Sequence, residues 1–163
     1  MKRLLLLDAD VIIDLHTLDW FDKITRKYNV YASRTVLREA QYFKKAGQRE
    51  RIDISDKITV VDVGPEDINL VRIEAREARL GIDPGELEAI AYLNIANEDL
   101  IFCTCDKAAI KLVSYMGLEE RSASVEEVLK STGQRKKLFP RHLDKMFREC
   151  VKEGKALRVQ FKI

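Results

Sequence analysis

Apolar positions along the chain recur with two different periods, and the switches between them predict the elements. Leu4 to Leu7 are four consecutive leucines ending at Asp8, too few for a helix and without alternation, which predicts a strand buried on both faces. From Val11 to about Lys27, Ile12, Leu15, Leu18, Phe21 and Ile24 follow helical spacing, with a break near Thr17 that makes two short helices. Residues 29–32 read as a second strand. Ser33 or Thr35 then caps a helix whose stripe is Val36, Leu37, Ala40 and Phe43. Residues 47–57 form a polar connector, and residues 58–63 are a third strand ending at Gly64-Pro65. Between Glu66 and Leu80, Ile68, Val71, Ala75 and Ala78 share one helix face, and Gly81 ends that helix.

Asp83-Pro84-Gly85-Glu86 is a helix start, with Asp83 as N-cap, Pro84 at the first position and Glu86 at the third. The helix it opens, residues 87–96, is apolar nearly all round and therefore buried. Residues 101–105 read as a strand with Asp106 at its carboxyl end, followed by a helix from Lys107 to Met116 that Gly117 stops. A last parallel strand is expected at 118–122, and Ser124 with Glu127 forms a capping box for a helix at 125–130. Beyond Pro140 a helix is expected at 143–151, and the alternation from Ala156 to Phe161 predicts an edge strand. Strands alternating with helices imply an α/β fold on a parallel sheet.

At 163 residues the chain buries one core without disulfides or structural metal. The three cysteines, Cys103, Cys105 and Cys150, show no secreted-framework spacing, so a reducing cytoplasm is expected, and a single Cys-x-Cys points only weakly to zinc. Four leucines between Arg3 and Asp8 do not make a signal peptide, and no apolar run suggests a membrane span. The net charge of +2 conceals an asymmetry. From Gln134 onward ten Lys or Arg face three acids, so the tail carries +7 and the remainder −5. An acidic body with a basic tail suits an enzyme that gathers metal ions in one place and polyanion in another, with Arg135, Lys136, Lys137 and Arg141 as candidate nucleic-acid contacts. A merely solvated terminal helix accounts for the same charge run.

The candidate chemistry lies in carboxylates. Asp8 and Asp106 each follow a strand end, where open parallel sheets bind ligands. Glu86 and Glu88 occupy one helix turn about 200° apart, so one suits the capping box while the other reaches into a site. Glu39 points the same way as its apolar stripe, and the bland account of it is a buried pair with Arg34 or Arg38. Carboxylates so crowded need a counter-charge, and oxygen-only ligands suit Mg²⁺ or Mn²⁺. Such ions polarise phosphodiesters and activate water. The two histidines, His16 and His142, are not placed with an acid or a nucleophile, and no phosphate loop or nucleophile elbow occurs.

The apolar strand ending in Asp8-Ala-Asp-Val-Ile, Glu39 within Val-Leu-Arg-Glu-Ala, Gly85-Glu-Leu-Glu-Ala-Ile-Ala, and Thr104-Cys-Asp106 together resemble the PIN-domain nucleases, including VapC-type toxins. The resemblance covers roughly residues 3 to 130. It implies a three-layer α/β/α fold around a mostly parallel sheet, with a nuclease domain at 1–133 and a basic extension at 134–163. It also implies a metal-dependent endoribonuclease acting on single-stranded RNA, with Asp8, Glu39 and Asp106 as metal-binding acids. The remaining acid stays open: the Gly-Glu phrase favours Glu86, while the interval to Thr104-x-Asp106 favours Glu88. Asp10 stands where the family usually has Asn, either adding a ligand or keeping a hydrogen-bonding role; Thr104 matches a Thr or Ser position that bonds Asp8 or a water. The toxin relatives make an antitoxin protein and a second copy of the chain candidate partners besides RNA.

Two other readings fit part of this pattern. A strand followed by Asp-x-Asp also resembles haloacid-dehalogenase-type phosphatases, with Asp8 as nucleophile and Asp10 as acid/base, but that leaves Glu39 and Glu88 without a role. A binding module that keeps the fold without cutting is the third reading.

Overall fold

Successive strand residues point to opposite faces, and the leucine run shows what that does here. Leu5 and Leu7 enter one apolar cluster and Leu6 the other, all three fully buried. Each such burial contributes about 1.5–3 kcal/mol. The computed structural model describes residues 1–52, 56–97, 99–133 and 138–162, apart from the side chain of Lys45.

In chain order the elements are β1 (Arg3–Leu7), α1 (Ala9–Thr17), α2 (Phe21–Lys27), β2 (Tyr28–Ser33), α3 (Arg34–Glu39), β3 (Tyr42–Lys45), β4 (Gln48–Arg51) and β5 (Ile58–Val61). Then come α4 (Pro65–Glu77), α5 (Pro84–Ile95), β6 (Leu100–Cys103), α6 (Lys107–Tyr115), β7 (Ser122–Ala123), α7 (Val125–Lys130) and α8 (Asp144–Phe161). Five strands form an all-parallel sheet in the order β5-β2-β1-β6-β7. Residues of α1, α2, α3 and α7 fill one core cluster and residues of α4, α5 and α6 the other, so helices cover the sheet on both faces in a three-layer α/β/α arrangement. No helix among the described residues is long and apolar enough to cross a membrane.

Several expectations are corrected. The stripe ending in Phe43 is not one helix: α3 stops at Glu39, and Phe43 lies in β3, which forms an antiparallel hairpin with β4, a strand that falls inside the expected connector. Ala46 and Gly47 both take positive φ (50° and 79°), as a two-residue hairpin loop requires. The helix before Asp83 ends at Glu77, and the left-handed residue that closes it is Arg79 (φ 59°), with the Leu80 N–H bonded back to the Ala75 carbonyl at 2.9 Å. The expected strand at 118–122 is a 3₁₀ turn at Glu119–Arg121 followed by the two-residue β7.

The predicted edge strand at 156–161 is the end of α8, an 18-residue helix. Leu157 and Phe161 stand four residues apart and reach the second core cluster, whereas Val159 between them is exposed. Over six residues that spacing imitates strand alternation.

Helix α8 lies against α6 at van der Waals range, because Gly154 has no side chain. A Cβ there would sit 2.4 Å from the Lys111 carbonyl oxygen and 2.7 Å from the Ser114 Cβ. The Ser114 hydroxyl donates to the Val151 carbonyl at 2.6 Å across the same contact. Gly154→Ala is expected to cost about 1–3 kcal/mol through overpacking, a fall in Tm of roughly 2–12 °C by calorimetry. An unchanged Tm would show that the extension is not held through this contact.

Candidate active site

The sheet order reverses at β1: the chain builds outward through β2 and β5, then returns to the other side of β1 with β6. Ligands of open α/β sheets bind beyond the strand ends at such a reversal. Asp8 and Asp106 follow those two strands, each as the N-cap of a helix. Asp8 Oδ1 accepts the Val11 N–H at 3.0 Å, and Asp106 Oδ1 accepts the Ala109 N–H at 2.8 Å. The register that pairs Leu7 with Cys103 sets Thr104 beside Asp8. The Thr104 hydroxyl donates to Asp8 Oδ2 and accepts the Asp106 N–H at 3.1 Å, so Thr104 takes the bond to Asp8 that the resemblance allowed.

Asp8 is 2% exposed. Burial pushes its carboxyl up to about 7, against the opposing hydrogen bonds from Thr104 and Val11, with Asp10 and Asp106 adding repulsion. Glu86, 9% exposed at the start of α5, is pushed up to about 8, first by burial and then by Asp106 and Asp8. It also closes the expected capping box, its Oε2 accepting the Asp83 N–H at 3.3 Å. One side chain therefore does both jobs that the sequence divided between Glu86 and Glu88.

Glu88, half-buried, turns elsewhere and accepts the Thr35 hydroxyl at 2.6 Å. Glu39 is exposed rather than inward-facing, because α3 ends there and no stripe continues past it. The pairing with Arg34 is not formed, since that guanidinium bonds Asp62 at 3.0 Å. Glu39 leans over the backbone of Gly85, which bonds its carboxylate, and partial burial with Asp83, Asp10 and Glu88 raises its pKa. Asp8 and Glu86 thus form a buried pair beside the half-buried Asp106, and Glu39 and Glu88 form a rim. Asp10, exposed on α1, is raised by burial and by Asp14 and Asp106, and it also acts on Glu39. Among the described residues no three of these acids bring carboxylate oxygens within 4.8 Å of one another.

Gly85 keeps the rim open, since a Cβ there would lie 2.8 Å from Glu39 Oε2. Gly85→Ala is expected to leave Tm within a few degrees, because a flexible carboxylate is what must move, and, where the crevice takes Mn²⁺ as proposed below, to weaken its affinity roughly tenfold or more by calorimetric titration. Unchanged affinity would remove Glu39 from the site.

A second group went unrecognised in the sequence. His142, fully buried in the 3₁₀ turn Pro140–His142, places Nε2 2.6 Å from Asp14 Oδ2, so this histidine is placed with an acid after all. Asp14, Cys105 and His142 bring ligand atoms within 4.8 Å of one another, and burial holds the Cys105 thiol protonated. Arg141, expected to contact nucleic acid, instead forks onto Asp14 with Nη2–Oδ1 at 2.9 Å and Nε–Oδ2 at 3.2 Å. Hydrogen bonds from His142 and Arg141 outweigh burial and lower the Asp14 pKa. Only the i,i+4 spacing of Asp10 and Asp14 on α1 hinted that this helix carries acid toward a second place; nothing local links position 14 to position 142. Arg135, Lys136 and Lys137 lie outside the described residues. No family model matches the chain, and no curated protein or solved structure matches it either.

Proposed function

We propose that the chain is a Mg²⁺- or Mn²⁺-dependent endoribonuclease that hydrolyses phosphodiesters of single-stranded RNA. The observation that carries this reading is a pair of buried acids, Asp8 and Glu86, coupled to Asp106 at the sheet reversal, with no Lys or Arg among the principal charges acting on either. A protein that buries carboxylates without a cationic side chain leaves them protonated or supplies an external cation. The donors are all oxygen, which suits a hard ion. When bound, such an ion polarises the phosphate and lowers the pKa of a water.

The residues of the chain divide the remaining work. Thr104 and the Val11 N–H fix the orientation of Asp8, and the Asp83 N–H fixes that of Glu86. Glu39 and Asp10, raised first by partial burial and then by neighbouring acids, would take or return a proton at the mouth of the crevice. Arg34 and Arg38 of α3 line a groove with Arg51 of β4, beside the helix that ends in Glu39, and such a groove favours a polyanionic substrate. The phosphatase reading fits less well, because it leaves the buried Glu86 and the Glu39 above Gly85 without a role.

End-labelled single-stranded RNA incubated with the purified protein and Mn²⁺ or Mg²⁺ is expected to yield internal cleavage products that EDTA abolishes. Phosphomonoester hydrolysis without RNA cleavage would replace this reading with the phosphatase, and RNA binding without any cleavage would replace it with the binding module.

A further inference from the structure

Asp14, Cys105 and His142 are not accounted for by RNA cleavage. They come from three separate places: the middle of α1, the turn between β6 and α6, and the 3₁₀ turn of the basic extension. Carboxylate, thiol and imidazole are the three ligand types of borderline-soft divalent metals, whereas the RNA-cleaving acids offer oxygen alone. We infer that Asp14, Cys105 and His142 form a second metal site, selective for zinc-type ions, that staples the basic extension to the body of the protein.

Three features support it. His142 is fully buried, and its Nε2 is aimed at Asp14 from within the group. The atoms are close to where a metal needs them: tetrahedral ligands about 2.0–2.3 Å from zinc lie roughly 3.3–3.6 Å apart. Here the His142–Asp14 pair stands at 2.6 Å and the full set lies within 4.8 Å, so side-chain adjustments of about an ångström close the site. Charge also fits. A divalent ion with the Asp14 carboxylate, a Cys105 thiolate and neutral His142 sums to zero, which leaves the half-exposed Arg141 guanidinium as the remaining charge, where solvent reaches it.

On binding, the metal forms bonds to oxygen, nitrogen and sulfur, and the Cys105 thiol proton leaves to solvent. Arg141, half-exposed, retains its 2.9 Å bond to Asp14 Oδ1 and orients the carboxylate, while its contacts to Oδ2 yield to the ion. Three protein ligands leave a fourth position for water.

The full-length protein titrated with Co²⁺ as a spectroscopic probe tests this. One equivalent is expected to give a near-ultraviolet thiolate-to-metal charge-transfer band and the strong visible bands of a tetrahedral ion, and one equivalent of Zn²⁺ is expected to displace it in the presence of excess Mg²⁺. At free zinc about 100 times Kd, Tm is expected to rise roughly 5–10 °C. Cys105→Ser should abolish the charge-transfer band, His142→Gln should weaken binding at least about tenfold, and Cys150→Ser should change neither. A wild-type protein without the band overturns the site whether or not the variants fold, and so does a band that survives Cys105→Ser. Glu86→Gln should keep band and affinity, so failure of the nuclease reading leaves this site standing and its own failure leaves the nuclease untouched.

Discussion

Asp8→Asn is expected to reduce metal-dependent RNA cleavage by about a thousandfold, equivalent to ~4 kcal/mol at the transition state, while making the metal-free protein more stable at pH 8. The two effects have one cause. Asparagine keeps an acceptor for the Val11 N–H and a short polar end for the N-cap, so α1 still starts at the same place. It removes the charge that burial disfavours. Asp8 has its folded pKa raised to about 7 from 3.8, so the folded state binds the proton more tightly. The stability this confers is complete below about pH 4 and is lost as pH climbs toward 7. By pH 8 the ionised carboxylate costs the fold up to about 4 kcal/mol, of which Asp8→Asn should recover about 1–3 kcal/mol in EDTA by denaturant titration. A cost of this kind is what the proposed metal-binding role of Asp8 would offset. A variant that still cuts, or one less stable than wild type at pH 8, would show that Asp8 is a structural cap and nothing more.

What the sequence made legible follows from range. The leucine run, the two short helices around Thr17, the Asp83–Glu86 start and the Ser124 cap are encoded within a few neighbouring residues, and the structure contains each of them. Asp8 and Asp106 were legible because a carboxylate after a buried parallel strand has one place to go. Glu39 was misread because its apparent stripe ran across a helix end into a hairpin, whose Ala46-Gly47 loop carries the signal that periodicity overrode. The choice between Glu86 and Glu88 needed the third dimension, since helical phase shows that two side chains diverge without showing which one meets β1. The Asp14–His142 contact spans 128 residues, and no local pattern encodes it.

The apo protein should lose stability as pH rises from 5 to 9, and saturating Mn²⁺ should restore it at pH 9 while doing little at pH 5. Asp8 and Glu86 both hold their protons more tightly folded than unfolded, with pKa values near 7 and 8 against 3.8 and 4.5. Each therefore contributes stability below its unfolded value that disappears as pH passes through its folded value. They repel one another, so their protons leave in coupled steps and their separate costs do not add. A loss of about 4 kcal/mol for the pair corresponds to a fall in Tm of roughly 8–16 °C across that range. A divalent ion reverses the sign of the local field, and because it competes with those protons its affinity climbs steeply between pH 6 and 8, with protons released on binding. Asp8→Asn isolates the contribution of this site from that of other groups, since its Tm should depend less on pH and respond less to Mn²⁺. A wild-type Tm that rises toward pH 9 in EDTA would mean that Asp8 and Glu86 ionise in the fold without cost, and a Tm indifferent to Mn²⁺ at pH 9 would mean that the crevice holds no metal.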